Sequence, residues 1–249
     1  MTDDSNSLYT PQGYVEGGLR DPKKSHLLAG LPPGLHVSRR SLPPGVVVVE
    51  DYLAPPVCAD LLAYARRQQG TPSTVQDKDA QAGSSLTRLS ASRVTDYIDI
   101  AGVAPTVHRL MQDIFLNQVG RHYGVSIEWY ERPELLRYRA GGHYSPHADS
   151  ENWDAAGSSW RRSIDRDYSI LLYLNEGFTG GGLEFANFGL RLTPRAGMLV
   201  AFPADHRYVH AAQPITEGER LVLVCWCAAR GTARVGESPP PGVTRLDPA

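Results

Sequence analysis

Two spacing rules divide the chain. Between residues 55 and 123 apolar side chains return every three to four positions, and from 126 onward they alternate. Pro55 and Pro56 open a predicted helix that runs to about Gln69, with Val57, Leu61, Leu62 and Ala65 along one stripe. Val107, Leu110, Met111, Ile114, Phe115 and Val119 keep the same period and predict a second helix from about Pro105 to Tyr123. Before the first helix, the β-branched run at 46–53 reads as a buried strand. After the second, the pattern predicts strands near 126–131, 134–139, 142–149, 167–174, 182–186, 189–193, 198–202, 207–213 and 220–228. Two polar stretches, 70–87 and 150–166, read as loops. Many short strands following two helices predict a mainly β fold with flanking helices and a double-stranded β-helix (jelly roll) core. Residues 1–44 read as an extended N-terminal arm and 231–249 as a Pro-rich C-terminal tail, which leaves one domain at 45–230.

Composition narrows the function. A 249-residue chain with 41% hydrophobic residues has enough apolar surface for one core. A net charge of −2 gives no electrostatic footprint for nucleic acid or an anionic membrane. There is no run of eighteen apolar residues, and the acidic, polar start carries no signal-peptide core. The three cysteines are odd in number, and Cys225 and Cys227 alternate on a predicted strand. They read as packed thiols in a reduced, cytoplasmic setting.

The candidate chemistry lies in the β-rich half. His147 and Asp149 are two apart, so a strand would place both on one face. His210 follows far enough along to return on another strand. Two imidazoles and a carboxylate on one side of an ion form the facial triad of non-haem Fe(II) oxygenases, which leaves open coordination positions. Strand parity predicts that Ser169, Leu171 and Tyr173 share a face, and that Arg220, Val222, Val224 and Trp226 share another. If those faces point into the barrel, a guanidinium sits beside the metal ligands and needs an anion. A bound dicarboxylate would supply one; Glu184 or Glu219 is the alternative. His143 and His206 compete for the ligand roles, while His108 and His122 read as helix-surface histidines. Zinc accepts similar donors, but the HExxH base of a zinc hydrolase is absent.

These residues and their flanks resemble the prolyl 4-hydroxylase-like branch of the 2-oxoglutarate- and Fe(II)-dependent dioxygenases. The shared features are Tyr138, His147-Ala-Asp149, YSILLYLN at 168–175, GGGLEF at 180–185, PRAGMLVAF at 194–202, His210 and Arg220. The resemblance implies that His147, Asp149 and His210 hold Fe(II). It implies that Arg220, with Tyr138 and Tyr173, holds 2-oxoglutarate. Dioxygen would be the other cosubstrate and ascorbate a candidate reductant. The implied reaction couples decarboxylation of 2-oxoglutarate to succinate with hydroxylation of a prolyl or similar residue in a peptide. Retention of Asp149 favours hydroxylation over halogenation. A free amino acid, a natural-product intermediate, or a catalytically silent binding module stays open as an alternative. Trp153, Trp160, Arg161 and Arg162, within 150–166, would either grip substrate or decorate a solvated loop. Oligomeric state is left open.

Overall fold

The structure is a computed structural model that describes residues 9–10, 13–14, 35–36, 42–76, 87–236 and 239–246. Two antiparallel-rich sheets face each other, and the fold is mainly β with a jelly-roll core. The larger, ten-stranded sheet runs in the order Leu35–His36, Val47–Val49, Leu199–Pro203, Tyr168–Tyr173, Arg220–Ala229, Glu134–Tyr138, Asp96–Ile98 and Thr71–Pro72. Ile127–Tyr130 also pairs with Arg220–Ala229, and Thr244–Arg245 pairs with Ile127–Tyr130. The smaller, five-stranded sheet runs Leu190–Leu192, Leu183–Phe185, His210–Ala212, His143–His147 and Arg93–Val94. Most of the predicted arm at 1–44 lies outside the described residues.

The alternation of strand Arg220–Ala229 explains how the layers assemble. Leu221, Leu223, Cys225 and Cys227 pack, with Ile170 and Leu172, against Leu61, Val107, Met111 and Phe115 of the helices. Val222, Val224 and Trp226 point the other way, joining Tyr173, Leu183 and Phe185 between the sheets. Helical spacing therefore builds one core behind the large sheet, and strand spacing builds a second in front of it. The three cysteines are buried free thiols.

The first helix spans Pro55–Arg67, where the two prolines fill positions whose N–H groups need no partner. The second helical segment is Ala104–Asp113, a wider π-helical stretch at Ile114–Val119, and Gly120–Tyr123. It stops at Gly124, whose φ of 65° closes the helix in the left-handed region. Among the described residues, no helix is long and apolar enough to cross a membrane.

Three expectations change. Residues 150–166 are not a loop: Glu151–Asp154 and Ser159–Arg162 form an antiparallel hairpin. Its only large apolar side chains are Trp153 and Trp160, which oppose each other across the strands with ring centroids 5.8 Å apart. One cross-strand aromatic pair, rather than a buried face, marks these strands, so the sequence shows no alternation there. The stretch 70–87 is not uniformly loop, since Thr71–Pro72 and Val75–Gln76 are strands; residues 77–86 lie outside the described ones. The strand expected at 207–213 begins with a 3-10 turn, His206–Tyr208, and is reduced to His210–Ala212.

Candidate active site

His147 and His210 are direct partners across the small sheet, and their ring centroids are 4.4 Å apart. Asp149 lies just past the end of its strand, where its backbone N–H and that of Ser150 both donate to the Ala204 carbonyl, at 3.1 and 3.0 Å. One donor atom from each of His147, Asp149 and His210 lies within 4.8 Å of the others, close enough for a single ion to span. Asp149 Oδ1 is 3.4 Å from His147 Nε2, and Oδ2 is 3.7 Å from His210 Nε2. The other ring nitrogens are engaged: His147 Nδ1 donates to the Ser145 carbonyl at 2.8 Å and His210 Nδ1 to the Tyr208 carbonyl at 3.1 Å. A carbonyl can only accept, so each Nδ1 carries the proton and each Nε2 turns a lone pair inward. Ser169 Oγ donates to Asp149 Oδ2 at 2.6 Å and fixes the carboxylate.

The electrostatics suit a cation. Burial pushes the His210 pKa down to about 4, which keeps the ring neutral. Burial alone would raise the Asp149 pKa, but His210, His147 and Arg166 beside it hold the carboxyl well below its usual range. A neutral His210 imidazole and an ionised Asp149 carboxylate are deprotonated donors of the kind a divalent metal requires. The donor set therefore fits Fe(II).

Arg220 enters from the opposite wall of the same cavity. It is 2% exposed, its guanidinium lies 4.1 Å over the Tyr138 ring, and Nη1 donates to the Gly181 carbonyl. Its Nε is buried with no hydrogen-bond partner. Neither alternative carboxylate reaches it. Glu219 pairs with Arg66 at 2.7 Å, and Glu184 with Arg191 at 3.0 Å. Asn175 holds the backbone on both sides of Arg220, donating to the Glu219 carbonyl at 2.8 Å and accepting from Leu221 N–H at 2.7 Å. Gly181 has a φ of 65°, and a Cβ there would come within 2.3 Å of Ile215 Cδ1. Only glycine presents that carbonyl to Arg220 without strain. Tyr173 is fully buried on the same lining, and burial pushes its phenol pKa up, so it stays a neutral donor. A buried cation with an unpaired donor beside the Tyr173 phenol fits a carboxylate ligand.

A second, larger cleft of about 440 Å³ meets the cavity at Tyr144, His147, Asp149 and Trp226. Its two arginines are matched by the protein. Arg166 grips Glu131 with two bonds of 2.5 and 2.6 Å and lies 3.8 Å over the Trp226 ring. Arg93 pairs with Glu134 at 2.9 Å, and Glu151 with His206 Nδ1 at 2.6 Å. Thr74, Ser90, Ser92, Ser145, Asn152 and Ser163 supply uncharged polar lining.

The structure thus brings together His147, Asp149, His210, Arg220, Tyr138 and Tyr173. It keeps the competing histidines apart from the triad: His143 bonds the Gly141 and Ala91 carbonyls, and His206 bonds Glu151. Of the hairpin side chains, Trp160 stacks on His206, Arg161 pairs with Asp154 and Arg162 with Asp167. Four site residues have no sequence signal that singles them out: Tyr144, Ser169 as an Asp149 donor, Arg166 and Glu131. Tyr144 stacks on His147 at 3.6 Å and 19°, although an odd spacing of three should place them on opposite faces. A register irregularity between Tyr144 and His147 removes that alternation and turns both inward.

Residues 133–228 match the family model of the 2OG-Fe(II) oxygenase superfamily. Human prolyl 3-hydroxylase 3 is 39% identical over 89 residues, covering 32% of this chain and 12% of that protein. A PKHD-type hydroxylase from Polaromonas sp. is 34% identical over 97 residues, covering 38% of this chain and 42% of the relative. The chain therefore spans less than half the length of either relative. In fold it resembles a Pseudomonas putida prolyl-4-hydroxylase, with a TM-score of 0.55 at 24% identity over 75% of this chain and 94% of that one.

Proposed function

We propose that this chain is an Fe(II)- and 2-oxoglutarate-dependent hydroxylase acting on a prolyl or similar residue within a peptide. The observation that carries this reading is one cavity with a His147, Asp149 and His210 donor cluster at one end and the unpaired Nε of buried Arg220 at the other. His147, Asp149 and His210 would hold the metal, and Arg220, Tyr138 and Tyr173 would receive the far carboxylate of 2-oxoglutarate. When bound, the metal and 2-oxo acid supply the oxidising chemistry, in which decarboxylation to succinate is coupled to hydroxylation of substrate.

This chain's own residues do the rest. Ser169 orients Asp149, and the Nδ1 bonds of both histidines fix the rings. Asn175 and Gly181 aim Arg220 from its backbone and its guanidinium. Tyr144 and Trp226 stand where cavity and cleft meet, and their rings limit water beside the metal ligands. The cleft favours a peptide over a free amino acid. Arg93 and Arg166 are already paired with Glu134 and Glu131, so neither is left to match an α-carboxylate. A residue inside a chain brings no such carboxylate.

A mass-spectrometric screen of proline-containing peptides and free amino acids tests the reading, with Fe(II), 2-oxoglutarate and oxygen supplied. A +16 Da product with matching succinate release is expected from a peptide. Succinate-free mixtures across the panel would reject the hydroxylase reading, and a product from free amino acids alone would reject the peptide substrate.

A further inference from the structure

The tripeptide Asp165-Arg166-Asp167 sends its side chains in two directions. Arg166 turns into the larger cleft, against Trp226 and Glu131. Asp165 and Asp167 turn away and bind the chain that follows the last long strand. Asp165, only 5% exposed, accepts the backbone N–H groups of Val235 at 2.8 Å and Gly236 at 3.1 Å, one on each oxygen. Asp167 Oδ2 accepts from Ala229 N–H at 2.8 Å, Thr232 Oγ1 at 2.7 Å and Arg234 Nη1 at 3.3 Å. Its Oδ1 takes Arg162 Nη1 of the hairpin at 2.9 Å. Arg234 continues to Glu128 Oε2 at 2.9 Å, which ties the group to the edge of the large sheet.

The carboxylates therefore bind residues 229–236 on one side and the hairpin on the other, while Arg166 between them and Ser163 and Ile164 just before them line the cleft. Residues 232–236 lie beyond the segment shared with the superfamily, which stops at 228. The geometry points to Thr232–Gly236 as a strap of positioning residues that fixes the outer wall of the substrate cleft. The strap's hydrogen bonds run to Asp165, Asp167, Glu128 and Ala229, away from the donor cluster and Arg220. It sets how firmly substrate is held and leaves iron and 2-oxoglutarate binding alone. Charge-assisted bonds to backbone N–H groups are among the stronger hydrogen bonds, so losing them frees the wall.

The test compares the full chain with Arg234→Ala and Asp165→Ala, using Thr232→Val if Asp165→Ala does not fold. Its turnover arm rests on the hydroxylase reading; its hydrogen-exchange arm does not. Amide exchange in 159–166 should speed up about tenfold in each variant, while 170–173 and 221–225 keep their protection. Fe(II) and 2-oxoglutarate dissociation constants, measured anaerobically by titration, should stay within about twofold of wild type. With a proline-rich decapeptide, KM should rise about fivefold or more with kcat little changed. Unchanged exchange in 159–166 overturns the strap. Parallel loss of iron and 2-oxoglutarate binding also overturns it, because that is general loosening. If wild type does not turn over the decapeptide but exchange responds as stated, the strap stands and the substrate reading fails.

Discussion

The small cavity around Arg220 and the larger cleft beside it share a wall but treat charge in opposite ways. In the cavity, Arg220 is buried without a carboxylate partner and keeps an unused Nε donor. In the cleft, Arg166 and Arg93 each meet a carboxylate from the protein within 3 Å. An unmatched buried ion is costly, so the fold tolerates one only where a ligand completes it. A matched set makes no such demand. On the proposed function, the contrast distinguishes a compartment for an anion from one for a neutral chain segment.

The most severe way to break the comparison is to remove the shared wall. Asp149→Ala should lower turnover on the order of a thousandfold or more and reduce bound iron, with the fold intact by circular dichroism. Full iron stoichiometry in that variant would exclude Asp149 from the metal site. Arg220→Ala acts on the cavity alone. A bidentate Arg–carboxylate pair contributes about 2–4 kcal/mol, so the 2-oxoglutarate constant should rise about thirty- to a thousandfold. Iron affinity should stay near wild type. Arg220→Lys should be milder, because it retains charge without the fork. Pyruvate, lacking the far carboxylate, should bind Arg220→Ala no worse than wild type; a further loss would mean that Arg220 serves the fold instead.

Glu131→Gln reverses the balance of the cleft by leaving Arg166 unmatched. Peptides with an acidic residue beside the proline should gain about three- to tenfold in kcat/KM over neutral ones. No change in that ratio would show that substrate flanks never reach Arg166. The smallest expected effect is on pH. His210 has a folded pKa of about 4, against an ordinary 6.5. As pH falls the unfolded chain takes this proton first, so the metal-free protein should be fully stabilised above 6.5 and lose stability between 6.5 and 4. Asp149, whose pKa is held down, contributes its own loss only below its ordinary 3.8, outside that window. Calorimetry with chelator present should show Tm dropping by a few degrees; a flat Tm would mean that His210 is solvated in the folded state.

Regular ladders made much of this site legible in the sequence. Arg220, Val222, Val224 and Trp226 share a face because their strand pairs without interruption from Arg220 to Val224 against Glu134–Tyr138. The same regularity placed Tyr173 with them. Legibility ended where the ladder did. Tyr144 depends on a register irregularity that no alternation rule anticipates. The hairpin at 151–162 has one aromatic pair where a strand pattern needs a face. Arg166 and Glu131 are 35 residues apart, so their pairing exists only in three dimensions. Charge matching in the cleft is therefore a tertiary property, whereas the His147 and Asp149 pair of the donor cluster is written in local spacing.

The alternation of Arg220–Ala229 also constrains which insertions and deletions the gene can tolerate. Adding or removing one residue between Arg220 and Trp226 would exchange the two faces of everything beyond the change. A deletion at Val222 would aim Trp226 at the helices and bring Cys225 toward the metal cluster, damaging both cores in one event. A change of two residues would preserve the faces and only shorten the span from Arg220 to the site's rim. Length variation among functional descendants should therefore avoid odd steps in this strand and collect at the hairpin tip, where Ala155, Ala156 and Gly157 face solvent.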